Sequence, residues 1–583
     1  MNLDKYEYIV QEEESYRTNG VDLDDQWHWS MYDHIRRSYL VKNSKFFTGK
    51  NDGERPNKNI VLPILNVQYR TEGFDVKDIQ PFVDEAEDFY KSFLVKKYHP
   101  RWARKYSIDE FIDEMVESYV DYGLALIKNV NNVRPEVVPL QRLAFCDQTD
   151  ILSGAICEKH QYSVDQLMDQ KWDKDKVQEA IDMAEAEKEI AKGKKTKTPS
   201  KYIEVYELHG SFPKSWLNEG DSDEEYSNQI HIVAYYKDSN EKKHGITLFQ
   251  GKESKPRYKA YKRDDIFGRA CGRGGIEELF EAQTWTNYSE IQIKELLDAA
   301  SLLLLQSSDR ELAERNKISD LEKGEILYHS AGEPMTQVTI QPQNKQQFDE
   351  NVDRWNNTAQ TIGSANEAVL GESPTSGTPF KLQNLVTQHG LGLHKYRQGK
   401  LSTFTVEIYR DCVLQYLVND MNHGQKFLEE LSLDELEWVA DQVITNLSND
   451  RLKELVFKEG KSVTEEERQM FKQVKKEQFM KGGTKQFLEI IKDELKDIPV
   501  DVVINIKGKQ KDLQQMTDKL VNIFRQIVAA PQIMQVPGMP KLFNQIIESS
   551  GLDPVDFSSF TNPKIEQAQP QPAQATLETN NVV

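Results

Sequence analysis

The sequence lacks the features that place a chain in a membrane or in an oxidising compartment. No stretch approaches the roughly 20 consecutive apolar residues that a membrane span needs. The first 16 residues, MNLDKYEYIVQEEESY, have neither a secretory nor an organelle-import pattern, so we expect a protein made in and retained by the cytoplasm. Four cysteines in 583 residues form no CxxC pair, which predicts reduced, buried thiols rather than disulfides or a zinc site.

Basic residues are in short supply. The chain has 74 Lys and Arg against 95 Asp and Glu, for a formal net charge of -21. Tight nucleic-acid binding needs a basic face that releases counterions, so this balance disfavours an ordinary DNA- or RNA-binding protein. It is compatible with a protein past which nucleic acid slides without sticking.

Catalytic and metal-binding motifs are also missing. The sequence has no P-loop, no H-E-x-x-H, no G-x-S-x-G elbow and no complete EF-hand loop. We therefore predict no catalytic residues, no cofactor and no metal. Two acidic clusters leave a Mg²⁺ site open as an alternative, although solvated surface carboxylates are the favoured interpretation. The clusters are Asp22, Asp24 and Asp25, and Asp84, Glu85, Glu87 and Asp88.

The first half of the chain reads as an α+β domain. Helical spacing predicts helices at about 80–98 and 107–121, the second with an apolar face and a terminating Gly123. Runs rich in Val, Ile, Tyr and Phe predict antiparallel strands. These runs are 124–130, 136–145, 202–208, 229–236 and 246–249. Two charged stretches, 184–201 and 218–228, are too polar to bury and predict surface insertions.

Long helices dominate from Gly275 onwards. A helix of about 30 residues, roughly 45 Å long, follows the segment GRACGRGG (268–275), which we interpret as a flexible joint. An insert with strand-like ends (309–344) leads to a second helix at about 345–370 and a loop at 371–381. Gly390, Gly392 and Gly399 predict a kink or break in the helix that starts at Leu382. A strand is expected at 499–508.

A basic cluster surrounds that loop and the following helix. It consists of Lys381, Lys395, Arg397 and Lys400. A solvated face and transient contact with DNA phosphates are equally open interpretations of this cluster.

The order of these segments resembles the portal proteins of tailed double-stranded DNA bacteriophages. DYGLALIKNV and EVVPLQRLAFCD resemble part of the portal wing, and RGGIEELFEAQTWTNYSEIQIKELLDAA, with Gln283 and Asn287, resembles the helix that enters the stem. DLEKGEILYHSAGEPMTQVTIQP is similar to the clip between two stem helices. NTAQTIGSANEAVLGESPTSGTPFKLQNL is similar to the end of the second stem helix, the tunnel loop and the start of the tunnel helix. The first 100 residues and both charged insertions have no counterpart in this pattern.

This resemblance implies a mainly helical α+β portal fold that forms a cyclic ring. Its implied parts are a wing domain (1–274), stem helix 1 (275–308), a clip (309–344), stem helix 2 (345–370), a tunnel loop (371–381), a kinked tunnel helix with helical wing (382–498), a strand-helix or crown region (499–560) and a disordered tail (561–583). The residues implied to face the channel are Glu372, Ser373, Pro374, Thr375, Ser376, Gly377 and Thr378.

The function implied by the resemblance is a DNA conduit without enzymatic activity. Portals are ring homo-oligomers, usually twelvefold, at one capsid vertex of the virion, and double-stranded DNA enters and leaves through them. The implied partners are the terminase large subunit, a head-tail adaptor, and the major capsid and scaffold proteins, with no membrane. Two alternatives stay open: a cytosolic interaction scaffold, and a Mg²⁺-dependent nucleotidyl or phosphoryl transfer enzyme.

Overall fold

The computed structural model describes most of the first 423 residues and a few short pieces beyond them. The described ranges are 5–24, 27–46, 55–83, 89–192, 202–217, 225–237, 243–254, 256–301, 304–306, 345–365, 390–423 and 500–504, with scattered residues between 308 and 338, between 441 and 477, and at 525. The chain divides into two units, Met1–Lys509 and Gln510–Val583, and everything below concerns the first.

Helices and strands are mixed throughout this unit, as the sequence predicts. The helices are α1 (Lys5–Thr18), α2 (Met31–Lys42), α3 (Val61–Glu72), α4 (Phe89–Lys105), α5 (Ile108–Tyr122), α6 (Val164–Met168), α7 (Lys174–Lys192), α8 (Gly275–Ser301), α9 (Lys345–Ile362), α10 (Gly392–Ile408) and α11 (Leu414–His423). The strands are β1 (Val21–Asp24), β2 (Trp27–Trp29), β3 (Ile79–Val83), β4 (Leu124–Lys128), β5 (Glu136–Val137), β6 (Leu143–Phe145), β7 (Ile156–Tyr162), β8 (Ile203–Pro213), β9 (Tyr226–Lys237), β10 (Lys243–Lys252), β11 (Tyr258–Lys262), β12 (Leu304–Gln306), β13 (Thr336–Val338) and β14 (Val500–Ile504).

The largest sheet is a five-stranded antiparallel meander. Its strands follow the order β10-β9-β8-β7-β6, so each strand pairs with its neighbour in the chain. One face packs against α1, where the Tyr206 hydroxyl donates to Glu13. The other face packs Val205 and Ile232 against Val177 and Ile181 of α7. The expectation of an antiparallel sheet in this part of the chain is confirmed.

A second, three-stranded sheet lies between the meander and the helices. Its order is β11-β4-β5, and both pairings are antiparallel. Strand β4 is buried along its whole length because α5, which precedes it, packs on the same core. The predicted apolar face of α5 is confirmed, since Phe111, Ile112, Met115, Val116 and Tyr119 are all buried.

One predicted helix begins in the wrong place. Instead of a helix over about 80–98, Ile79–Val83 forms strand β3 and the helix runs from Phe89 to Lys105. Strand β3 pairs with β14, more than 400 residues away in the chain. The partner strand itself agrees with the predicted strand at 499–508. Local spacing cannot reveal a partner at that distance, and five residues fit either a helical turn or a strand.

The helical part of the fold surrounds the largest apolar core. Residues of α3, α4, α5, α8 and α10 meet there, including the fully buried Trp102, Phe111 and Leu401. Cys146, Cys157, Cys271 and Cys412 are free and buried, as the sequence predicts. Among the described residues, none of the helices has both the length and the apolar content needed to cross a bilayer.

Candidate functional site

Helices α8 and α9 form an antiparallel pair. The rings of Trp285 and Trp355 stack 6.4 Å apart, and one turn further along α8 the Asn351 amide donates to the Ser289 hydroxyl over 2.8 Å. As the α8 position rises by four residues, the α9 position falls by four, which fixes the opposite directions. The strands that follow α8 and precede α9, β12 and β13, also pair antiparallel. The described part of 302–344 is therefore an insert between two paired helices. Its first strand, Leu304–Gln306, lies within the stretch expected to be helical up to 308, because α8 already ends at Ser301. Strand β13 agrees with the strand-like end expected before residue 344.

Gln283 and Asn287 hold the first half of α8 against the N-terminal region. The Gln283 side chain accepts from the Ile60 amide over 2.9 Å and donates to the Lys58 carbonyl over 2.7 Å. Asn287 accepts from the Lys58 amide over 3.1 Å. These side chains satisfy buried backbone groups of the segment that leads into α3, and their replacement by apolar residues would leave those groups unpaired. The two polar residues singled out on this helix are thus structural clamps.

A buried cluster of charges joins α3, α8, α10 and the strand before α8. We call it the junction, and it consists of Glu72, Arg263, Asp264, Glu278, His394 and Arg397. Arg263 donates twice to the Glu72 carboxylate, over 2.9 and 2.7 Å, and both side chains are fully buried. Nδ1 of His394 lies 2.9 Å from the same carboxylate. Arg397 donates to Glu278 over 2.8 Å and also pairs with Asp264.

The surroundings in the junction shift the pKa values of Glu72 and Glu278 in opposite directions. Burial by itself raises the pKa of Glu72, but Arg263, His394 and Arg397 outweigh it and lower the pKa to about 2. Burial raises the pKa of Glu278 above its ordinary value despite the two arginines beside it. The pKa of Arg263 is raised because the attraction of Glu72 and Glu278 outweighs its desolvation. Glu72 is therefore charged at neutral pH and anchors the cluster.

The junction also ties together the two ends of the segment 366–389. Nε2 of His394, near the start of α10, lies 3.3 Å from the carbonyl oxygen of Ser364, two residues after α9 ends. Between these anchors lie residues 366–389, which contain the predicted tunnel loop and fall outside the described residues. A partly buried contact thus joins the described residues on the two sides of 366–389.

The glycine-rich segment before α8 is tightly packed, which contradicts the flexible joint expected from its composition. A Cβ on Gly272 would lie 1.7 Å from the Arg263 carbonyl oxygen, and one on Gly274 would lie 2.4 Å from the Asp121 carbonyl oxygen. Ala270 and Cys271, which come just before these two glycines, are fully buried. These glycines are needed because the backbone of Gly123 and Arg263 approaches too closely for any side chain.

The predicted glycine break is found at one end of α10 and is absent from its interior. Gly392 is the first residue of α10 and follows a turn at Leu391, which separates it from Gly390, whereas Gly399 lies inside α10 without interrupting it. A further irregularity is a π-helical turn at Tyr409–Val413, after which α11 continues to His423. Glycine lowers helix propensity without forbidding a helix, and here packing against α3 overrides that preference.

The predicted basic cluster is divided by the structure. Lys395 is exposed, and the Lys400 ammonium lies 4.5 Å from the centre of the Tyr396 ring at the surface. Arg397 is only 3% exposed and is committed to the junction, so it does not form one solvated face with the two lysines. The reason is helical geometry, because Arg397 shares the inward face of α10 with His394 and Leu401. Lys381 lies outside the described residues.

The remaining predicted sites are mostly beyond the described part of the chain. Glu372 to Thr378 lie outside it, as do Asp25 and the acidic cluster at 84–88. The exposed Asp22 carboxylate lies 2.6 Å from Nδ1 of His28.

Aromatic side chains form an exposed patch on the helix pair. Trp285 is 44% exposed and Tyr288 is 53% exposed, and their rings make an edge-on contact at 5.8 Å. Trp355, half-buried, completes the patch by stacking on Trp285. We call these three residues the aromatic patch. Contiguous exposed aromatic surface of this kind is typical of protein interfaces.

Sequence reasoning missed the junction, although one signal pointed to it. Glu72 continues the inward stripe of α3, after Ile64, Leu65 and Gln68, at helical spacing. A carboxylate on an apolar face must find a buried cation, and that requirement predicts a partner without naming it. Arg263 comes from a strand edge and His394 from a distant helix, so their meeting depends on the tertiary fold.

Comparison with known proteins assigns no family to this chain. No protein-family model matches it, and no curated protein matches it at a significant level. The functional argument therefore rests on the residues described above.

Proposed function

We propose that this chain is the subunit of a portal-like ring, through whose central channel double-stranded DNA is packaged into and ejected from a phage capsid. The observation that carries the proposal is the antiparallel pair α8 and α9, interrupted by an insert with paired strands and followed by a long irregular helix. This order, after a wing-like sheet domain, is the one that defines the resemblance to portals. The pair is held to the body of the subunit by Gln283, Asn287 and the junction.

Anchored loop flanks support a channel role for residues 371–381. A loop that touches moving DNA needs firmly held ends. Without them, a force on the loop would pull apart the helices on either side of it. The contact of His394 with the Ser364 carbonyl and the bidentate pair of Arg263 and Glu72 provide such ends. Small residues such as Ser373, Ser376 and Gly377 then allow the loop itself to adapt.

The aromatic patch supports assembly of the helix pair with copies of itself. In a cyclic ring each subunit offers one surface to a different surface of its neighbour, so an unsatisfied apolar area on one side of the pair is expected. Trp285 and Tyr288 would become buried against the next subunit. Trp and Tyr, together with Arg, are the residue types that most often contribute the largest share of the binding energy at the centre of an interface.

Charge and the missing motifs agree with a passive conduit. In this proposal a net charge of -21 would keep DNA from being trapped in the channel, and Lys395 and Lys400 would supply brief phosphate contacts. Since the sequence has no P-loop, the proposal assigns the motor to a separate terminase ATPase. The adaptor, capsid and scaffold proteins are the other partners it requires, and the assembled protein would reside at one vertex of the virion.

Mass photometry of the full chain tests this proposal with one variant and one control. Twelve copies of the 67.5 kDa chain give a ring of about 810 kDa. We expect the wild-type protein to form a species near that mass and Tyr288→Arg to shift it to single subunits, because a charge would be buried in the interface. The control is Tyr226→Arg, since Tyr226 is also exposed, at 61%, but lies in the meander.

Two results would oppose the proposal. A wild-type protein that stays near 67.5 or 135 kDa at all concentrations would favour the scaffold or enzyme alternatives. If the Tyr288→Arg variant forms the same ring as the wild type, the aromatic patch is not part of the interface between subunits.

A further inference from the structure

A second buried polar cluster lies on the five-stranded sheet, far in sequence from the helix pair. Glu158 on β7 pairs directly with Glu207 on β8, so the two carboxylates project from the same face of the sheet. His160 lies two residues along β7 and therefore also shares that face. We call Glu158, His160 and Glu207 the sheet triad. Its three side chains are 0%, 12% and 14% exposed.

Part of the charge of the sheet triad is compensated by neighbours. Lys128, from β4 of the other sheet, places its ammonium 2.8 Å from Oε1 of Glu158 and 2.6 Å from Oε2 of Glu207. The Tyr258 hydroxyl donates to Oε1 of Glu158. Oε1 of Glu207 lies 2.9 Å from Nε2 of His209, whose other ring nitrogen lies 3.0 Å from Glu253. These contacts fix both carboxylates in place.

Two ligand atoms remain without a hydrogen-bond partner, and Oε2 of Glu207, which accepts from Lys128, lies within 4.8 Å of both. Oε2 of Glu158 and Nε2 of His160 are buried and make no hydrogen bond in the described structure. Nε2 of His160 lies 3.5 Å from Oε2 of Glu158 and 3.3 Å from Oε2 of Glu207. A buried carboxylate oxygen without a partner costs roughly 1–3 kcal/mol or more, so an unfilled position here calls for an explanation.

A cleft opens onto two residues of the sheet triad, His160 and Glu207. It has a volume of about 800 Å³, and His160, Glu207 and Lys128 line it. Gln161, Tyr162 and Trp172 are also among its walls. A cation bound by the sheet triad would therefore have solvent, and room for a further ligand, on its open side.

We propose that Glu158, His160 and Glu207 bind one divalent transition-metal cation such as Zn²⁺ or Mn²⁺. The separations of 3.3 and 3.5 Å match the edges of a tetrahedron whose centre lies roughly 2.0–2.2 Å from its ligands. One imidazole with two carboxylates is a donor set of this class of metal, since an imidazole nitrogen favours it over Mg²⁺ or Ca²⁺. His209 and Glu253 behind Glu207 supply the outer contacts that orient such ligands.

Lys128 does not occupy the proposed position. Its ammonium approaches Glu158 through Oε1, whereas the free ligand atom is Oε2 of the same carboxylate. Oε2 of Glu207 has lone pairs enough to accept from Lys128 and to bind a metal. Lys128 instead offsets the repulsion between two carboxylates that face each other across paired strands, which keeps the site assembled without the metal.

This site is independent of the proposed ring, because none of its residues belongs to the helix pair or the junction. Its test uses the full chain stripped with EDTA and then titrated with Mn²⁺ or Zn²⁺ alone by isothermal calorimetry. We expect one ion per chain. His160→Ala should weaken binding by at least about 100-fold, more than the roughly 10–100-fold typical for loss of an outer contact.

Glu204→Gln is the matched control. Glu204 lies on the same strand as Glu207 but on the opposite face, where it pairs with Lys159, so its loss should leave the affinity unchanged. The absorption spectrum of the Co²⁺-loaded wild-type chain gives a readout that needs no variant, and we expect the intense visible bands of a four-coordinate ion. Absence of binding by the wild type, or equal affinity in His160→Ala and wild type, would overturn the proposal.

Discussion

The junction and the sheet triad with its neighbours are two buried charge clusters that differ in how their carboxylates are paired with cations. In the junction each carboxylate faces an arginine: Glu72 meets Arg263, and Glu278 meets Arg397. On the sheet, one lysine serves two carboxylates, and Oε2 of Glu158 and Nε2 of His160 have no hydrogen-bond partner. The junction also keeps a carboxylate oxygen without a hydrogen bond, Oε2 of Glu278, but an arginine lies 3.6 Å from it.

This difference distinguishes a structural role from a binding role. A buried ion pair contributes little net stability relative to an apolar packing of the same volume, but breaking it by removing one partner is expensive. We therefore expect the junction to fix how α3, α8 and α10 pack together, since Glu72 of α3, Glu278 of α8 and Arg397 of α10 are paired within it. In the sheet triad the two unpaired atoms, Oε2 of Glu158 and Nε2 of His160, are both of the kind that binds metals and lie 3.5 Å apart, which is the property of a ligand site.

The largest effect is expected from opening the junction. Arg263→Met leaves the Glu72 carboxylate buried beside too few cations, and we expect a loss of about 3–5 kcal/mol in the free energy of unfolding. Urea denaturation at one protein concentration measures it. Arg134→Met is the control, because Arg134 pairs with the exposed Glu110 and Glu114 and should cost no more than about 1 kcal/mol. If both variants lose the same free energy of unfolding, the junction contributes no more to stability than an exposed ion pair does.

A smaller loss of stability, which added metal should reverse, is expected from a change in the five-stranded sheet. Lys128→Met leaves Glu158 and Glu207 facing each other, with a loss of about 3 kcal/mol in EDTA. Added Mn²⁺ should restore most of this loss, since an ion that binds only the folded state stabilises it by mass action. The same addition to Arg263→Met should restore nothing. If Mn²⁺ leaves the unfolding of Lys128→Met unchanged, the contrast between the clusters fails.

The smallest effect is a difference in acid stability. The pKa of Glu72 is about 2 in the folded chain and 4.5 for an ordinary exposed carboxyl, as in the unfolded chain, so its stabilisation is complete above pH 4.5 and is lost as pH falls toward 2. By pH 3 about 2 kcal/mol of that contribution should be gone, at roughly 1.4 kcal/mol for each pH unit.

Urea midpoints at pH 7, 4.5 and 3 check this expectation. The decline between pH 4.5 and 3 should be shallower in Glu72→Gln, which has no carboxylate to protonate, than in the wild type. Glu110→Gln, which alters an exposed partner of Arg134, is the control and should follow the wild type. Identical slopes for Glu72→Gln and wild type would show that Glu72 does not titrate in this range.

Local patterns predicted the elements of the fold better than its long-range contacts. The apolar face of α5, the antiparallel strands and the long helix from Gly275 follow from residue spacing alone. The pairing of β3 with β14 does not, because it joins segments from opposite ends of the described chain. The glycines of 268–275 illustrate a related limit. Their composition predicts a flexible backbone, whereas the structure shows that Gly272 is required because the backbone of Gly123 and Arg263 leaves no room for a side chain.

In both charge clusters, local sequence patterns indicate some of the residues, whereas their partners depend on long-range contacts. Glu72 carried a sequence signal through its place on an apolar helix face, but its partners come from a strand and from α10. Glu158 and His160 share a face at strand spacing, yet Glu207 joins them only through the register of β7 with β8. Arg397 was grouped with Lys395 and Lys400 by proximity in sequence, whereas helical geometry turns it inward.

Negative-stain electron microscopy of the purified full chain tests the central claim most directly. Class averages should show a closed ring with a central hole and a narrow end formed by the paired helices α8 and α9, consistent with about twelve copies of the 67.5 kDa chain. Particles without a hole, of the size of one or two subunits, would contradict the proposal that this protein is a channel for DNA.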